Sequence, residues 1–251
     1  MKRLFAFLLL LAIPFNCGNV TIDITRVIAR KNAITTTPPS WSDGQKDVAS
    51  NSTSWDTTYP AAVENNDIAL AYFQTETPGN ATGTPPSGWT KLDETDTSDA
   101  TTVIYWRRCD GTEDAQVDTW TSLWDAGERG VSFIATFSGC VTSGSPIDAS
   151  DYSSSASGTS KSLGAITTTT ANTLIVAAMG TDPGSSGQTC AWDSPATERV
   201  DSDITPSGDN GTLGIVWIAT APKVAAGSQT ITATLSASEV VAESLIALLP
   251  E

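Results

Sequence analysis

The residues that could do chemistry in this chain are few, and the most versatile is missing, since none of its 251 residues is a histidine. That removes Ser-His-Asp and Cys-His catalysis, and with them the side chain most often used as a metal ligand or as a base near neutral pH. Carboxylates remain, and they suffice for glycoside cleavage when one donates a proton and a second acts as nucleophile or base. Glu239 with Glu243, and Glu94 with Asp96, would each share one face of an extended strand. Neither pair lies in a sandwich-glycosidase signature such as E-x-D-x-x-E, and an ordinary polar strand face accounts for both. The chain is therefore expected not to be an enzyme, with glycoside hydrolysis ranked below binding.

Binding chemistry would fall to the tryptophans, because exposed indole rings on β-sandwiches stack against sugar faces. Trp106, Trp120 and Trp217 sit in regular strand patterns and are expected in the core. Trp41, Trp55, Trp89, Trp124 and Trp192 fall at loops or strand ends, where they serve either as loop anchors or as a ligand platform. Anchoring is the commoner role for a large ring. Trp89, Trp192 and Trp55 are the candidates for a sugar-binding platform.

Two acidic loops, Asp93 to Asp99 (DETDTSD) and Asp201 to Asn210 (DSDITPSGDN), carry enough oxygen ligands for Ca²⁺ but lack the ordered spacing of a calcium loop, so solvated loops are the stronger expectation. No other cofactor is expected. GERG at 127–130 and GSSG at 184–187 lack the helix that a phosphate loop requires and read as turns. The cysteines, Cys17, Cys109, Cys140 and Cys190, are too scattered for a disulfide framework or a zinc site, so no metal site is expected. In an oxidising compartment Cys109 could pair with Cys140; buried free thiols are the equal alternative.

The formal charge of −15 argues against a nucleic-acid partner, which needs clustered Lys and Arg to displace counterions. MKRLFAFLLLLAIPF has the charged start and apolar run of a secretory signal and is too short to span a bilayer as a helix. It lacks an A-x-A cleavage site and a lipoprotein box. If retained, residues 1–18 would be an apolar anchor, the one route to a membrane.

Such residues must be positioned by β structure, since Thr, Ser, Gly, Ala and Asp dominate and charged residues are only 16%. A first strand is expected at 21–29, then a long loop or edge excursion from Thr35 to Pro60. Strands follow at 67–74, 89–94, 101–108, 117–123 and 131–137, and again at 160–166, 173–179, 197–201, 213–220, 229–235 and 242–249. The two series align: Asn66 with Asn172, Trp106 with Trp217, and Ser132 to Phe137 with Ser244 to Leu249. A repeat this long is a duplicated half-domain. The expected fold is all-β, a jelly-roll-like antiparallel β-sandwich of two similar halves with an extended N-terminal arm. Its organisation would be residues 19–58 as first strand and arm, 59–142 as first half, 143–161 as a Ser- and Gly-rich crossover linker, and 162–251 as second half.

The series DIALAYF, PPSGWTKLDE, TTVIYWRR, Pro146-Ile147-Asp148, TTTTANTLIVAAMGTD, TERVD and LIALLP resembles a broad family of poorly characterised all-β proteins found in bacterial genomes and in tailed-phage genomes near structural genes. The resemblance runs from Tyr59 to Pro250 and carries no catalytic residues. It implies a non-enzymatic virion or extracellular structural protein, a decoration, fibre or tail component whose partners are copies of itself or other structural proteins. The signal-like start departs from a virion component and keeps open a secreted carbohydrate-binding or cell-surface adhesion module with glycans as partners.

Overall fold

Continuous apolar strands need cover on both faces, and this chain supplies it with three stacked cores. The computed structural model describes residues 36–181, 188–203 and 214–251. The signal-like segment, the strand expected at 21–29 and residues 204–210 of the second acidic loop lie outside them. Among the described residues there is no helix. The described residues form thirteen strands: β1 (Ser40–Ser52), β2 (Trp55–Thr58), β3 (Asn65–Thr75), β4 (Thr90–Asp96), β5 (Thr101–Asp110), β6 (Val117–Trp120), β7 (Glu128–Ser138), β8 (Ile147–Thr168), β9 (Thr173–Thr181), β10 (Cys190–Trp192), β11 (Thr197–Asp203), β12 (Ile215–Lys223) and β13 (Gly227–Leu248).

The first half forms one antiparallel sheet in the order β1-β7-β3-β5-β4. The second forms another in the order β10-β13-β9-β12-β11, with β8 also paired to β13. Matching β1 with β8, β7 with β13, β3 with β9, β5 with β12 and β4 with β11 superposes the two topologies. The sheets stack with β7 and β3 over β12, β3 and β5 over β9, and β4 over β13 and β8, which is the arrangement of a pseudo-twofold. Between them lies a shared core that includes Ile68, Leu70, Phe137, Val176, Ile218 and Ile246.

The irregularities repeat as well. Asn66 and Asn172 enter their strands with φ of 72° and 61°, a left-handed conformation that Asn tolerates better than most residues. The register slips between Trp41 and Asp43 in β1 and between Ala247 and Leu248 opposite the start of β8. It slips again between Lys91 and Asp93 in β4 and between Glu198 and Val200 in β11.

These registers correct the expected alignment of the halves. Leu70 pairs with Trp106, whereas its counterpart Val176 pairs with Thr220; Trp217 pairs with Met179, the counterpart of Phe73, which pairs with Val103. Trp106 therefore packs on the shared core and Trp217 on the outer face of its sheet. Likewise Phe137 and Leu248, opposite Ile68 and Leu174, are equivalents, so aligning Ser132 with Ser244 is one residue out of step. Side chains alternate across a strand, so an odd slip moves every residue to the wrong face.

Each outer face has its own cover. In the first half the short β2–β6 ribbon lays Trp55 and Trp120 over Phe73 and Tyr105. In the second half the long strands β8 and β13 bend, and their paired segments bring Leu163, Ile231, Ala233 and Leu235 over Ile175, Met179 and Trp217. Lys161, 1% exposed, holds the bend: its ammonium donates to Ser155 Oγ (3.1 Å) and to the carbonyls of Ala156 (2.8 Å) and Glu239 (2.6 Å).

Two expected loops are strands. Much of Thr35 to Pro60 is β1 and β2, and the supposed linker 143–161 enters β8 at Ile147. The true connection between the halves is residues 139–146. Leu249–Glu251 is fastened along it: Val141 N donates to Leu249 O (3.1 Å), Leu249 N to Pro146 O (2.8 Å) and Glu251 N to Gly139 O (2.9 Å).

Candidate functional site

Among the described residues the densest charged cluster surrounds Arg107 on β5. Its Nη2 donates to Glu113 Oε1 (2.8 Å), and its Nη1 donates to Tyr59 Oη (3.0 Å) and lies 3.5 Å from Asp118 Oδ2. That same Asp118 oxygen accepts from Tyr59 Oη (3.0 Å) and Trp89 Nε1 (2.7 Å). Glu113, 2% exposed, also accepts the backbone N–H groups of Asp110, Gly111 and Thr112. Burial, then the Asp118 charge, pushes the Tyr59 hydroxyl well above its ordinary range and keeps it protonated. Every group in the cluster is thus engaged in tying the 111–118 turn and the β2–β6 ribbon to the first sheet. It is a fold element.

The carboxylate pairs are similarly absorbed. Glu94 accepts from Ala81 N and from the Lys91 ammonium, Asp96 accepts from Thr101 Oγ1, and Asp93 accepts from Thr95 Oγ1, so the first of the expected acidic loops is largely strand β4 and its carboxylates bond to neighbouring protein groups. Among the described residues no three acidic, cysteine or histidine side chains converge as a metal site. Glu239 sits at the β13 bend and accepts from Gln188 Nε2, whereas Glu243 lies beyond the bend, 4% exposed, its carboxyl raised by burial.

The expected platform does not assemble. Trp55 and Trp89 are 1% and 6% exposed within the first-half cover. Trp192, partly buried, packs against the second-half cover. They anchor the two opposite outer faces of the sandwich. Cys109 and Cys140 are free, because Cys109 points into the first-half cover and Cys140 into the core on the other side of the same sheet. Burial pushes both thiols up to about 12, so neither is a nucleophile at neutral pH.

An open site does occur where the edge strands β1 and β11 meet. A groove of about 390 Å³ is lined by Trp41, Asp43, Gly44, Lys46, Phe133, Arg199, Val200 and Asp201. Trp41, half-buried, stands edge-on to Phe137 (5.6 Å between centroids, 87°) and faces Phe133 (6.4 Å, 27°). Gly44 permits this, since a Cβ there would run into the Phe133 ring and come 2.9 Å from Trp41 Cζ2. Asp43 is oriented by Gly44 N, which donates to Oδ1 (2.8 Å), and Arg199 by its Nε bond to Thr220 Oγ1 (2.9 Å). Asp201 Oδ1 accepts from Trp217 Nε1 (2.8 Å).

The pseudo-twofold supplies an internal control. At the other edge, where β4 meets β8, the equivalents of Trp41, Lys46 and Arg199 are Ile147, Tyr152 and Leu92, and all three pack on the shared core. What remains open near that edge is a cavity of about 10 Å³ lined in part by Tyr72, Thr95, Glu243 and Ser244, room for about one water and no ligand. In the sequence Trp41 is one of five tryptophans at loops or strand ends; what sets it apart is its neighbours, a Gly and two charged residues within five positions in an otherwise Ser- and Thr-rich stretch.

Compared with protein-family models, with curated proteins and with solved structures, the chain matches none of them.

Proposed function

We propose that this chain is a non-enzymatic structural component of a virion or an extracellular assembly, serving as decoration, fibre or tail element and contacting copies of itself or other structural proteins. The observation that carries the reading is the use made of the charged groups. The Arg107 cluster and the Asp93–Asp96 carboxylates are consumed in fastening strands and turns. The sequence resemblance to proteins encoded near tailed-phage structural genes points the same way.

Assembly would proceed through sandwich surfaces and the N-terminal arm, whose run from Leu4 to Phe15 is the longest apolar run in the sequence. A specific contact of this kind buries at least about 1,000 Å². The test is light scattering and electron microscopy of the full chain and of a chain lacking Met1 to Arg30. The full chain should form a defined assembly, and the shortened chain should keep its β circular-dichroism spectrum and melting transition while running as a monomer. A full chain that stays monomeric at every accessible concentration overturns the reading; a shortened chain that assembles normally overturns the role of the arm.

A further inference from the structure

One edge of the sandwich is sealed by apolar side chains, and the same edge of the other half is open and lined by charge. Duplication makes this comparison informative, because fold requirements act equally on both edges. A sandwich needs its core covered, and Leu92, Tyr152 and Ile147 provide that cover at the β4–β8 edge. Arg199 and Lys46 stand in the places of Leu92 and Tyr152 at the β1–β11 edge, and both are exposed. Arg199 donates from Nε to Thr220 Oγ1, and the rings of Trp41 and Phe133 line the same groove.

The lining specifies an occupant. A half-buried indole presents an apolar, electron-rich face that suits the C–H face of a sugar ring. Lys46 and Arg199 donate hydrogen bonds only, whereas Asp43 and Asp201 accept them only. Two cations and two carboxylates leave the groove without net charge, so it offers no preference for an ionised ligand. An occupant with one apolar face, and with hydroxyls that both donate and accept around its rim, complements the indole, the two cations and Asp43. At about 390 Å³ the groove is within the range of small-molecule sites.

We propose that the β1–β11 groove binds a pyranose ring of an uncharged saccharide, with Trp41 as the stacking surface and Asp43, Lys46 and Arg199 as the partners of its hydroxyls. This is independent of whether the chain assembles. It also moves the expected sugar site from Trp55, Trp89 and Trp192 to a tryptophan that shares no cover with them.

The experiment uses the full chain, an array of uncharged oligosaccharides (gluco-, manno-, galacto- and N-acetylglucosamine series) with sulfated and uronate counterparts, and tryptophan fluorescence titration of each hit. At least one uncharged series should bind and perturb the fluorescence. Trp41→Ala should weaken binding at least tenfold, Trp41→Phe by less, and Arg199→Ala by severalfold. Leu92→Ala, at the sealed edge, should lower the melting temperature and leave binding unchanged. Melting curves of each variant separate loss of binding from loss of fold, and Trp41→Phe serves if Trp41→Ala does not fold. No uncharged saccharide bound at millimolar concentration, binding to acidic glycans alone, or binding that a folded Trp41 variant and Arg199→Ala both retain in full would each overturn the proposal.

Discussion

The first half covers the outer face of its sheet with rings, and the second half covers the same face with aliphatic side chains. In the first, the strand that should lie over the sheet is broken off as the β2–β6 ribbon, and Trp55, Trp89, Trp120 and Trp124 fill the space it leaves. In the second, β8 and β13 stay continuous for 22 residues each and fold over, so the cover is an extension of the sheet itself. A detached ribbon of four-residue strands has little ladder to hold it, and large rings with polar handles compensate, as when Trp120 Nε1 donates to Thr57 Oγ1 (2.9 Å). A bent strand has ladder enough, and its weak point is the bend. There the register between Thr234 and Glu239 is lost and the buried Lys161 supplies the missing donors.

This contrast can be broken at three places. Trp120 is 1% exposed and lies 4.6 Å from Phe73 and 4.7 Å from Tyr105, centroid to centroid. Trp120→Ala should cost about 3–5 kcal/mol, read by urea denaturation, with loss of the aromatic circular-dichroism signal. A cost below about 1 kcal/mol would mean that the ribbon is not held by its rings. Lys161→Met keeps the stem and removes the ammonium, leaving the carbonyls of Ala156 and Glu239 without their charged donor; a loss of about 2–3 kcal/mol is expected. An unchanged urea midpoint would show that the bend holds without its clasp.

The smallest effect concerns Glu243, whose equivalent in the first half is Ser132. Burial raises the Glu243 carboxyl above its unfolded value. The folded state therefore holds the proton more tightly, and stability falls as pH rises from the unfolded value through the folded one. Glu243→Gln should remove that fall, making the chain more stable at neutral pH and no different at acid pH where the carboxyl is protonated in both the folded and the unfolded state. Melting temperatures of both chains across that range should converge at the acid end; parallel profiles would show that Glu243 does not titrate with folding.

Much of this architecture was legible in the residues. Segments such as DIALAYF and TLIVAAM are buried throughout as β3 and β9, because continuous apolar runs leave a strand no wet face. The polar edge strands were not legible. β1 and much of β8 are held chiefly by backbone pairing along one side, so they need few apolar residues, and SWSDGQKDVASNS and DASDYSSSASG look like loops. The two tryptophans that seemed to align the halves misled for a related reason, since matching letters carry no information about which face they point to. The groove was hidden because its walls come from strands about 155 residues apart in the chain, which only the stacking of the sheets brings together.

The Leu249–Glu251 strap has a consequence for how copies of this chain behave toward one another. Each half offers its twin the surface the twin offers back, an isologous contact closed within one molecule. Two molecules could trade halves and bury the same area, a reciprocal exchange with no intrinsic penalty. The strap opposes it: laid along residues 139–146 by three backbone hydrogen bonds, it keeps the hinge folded and each second half with its own first.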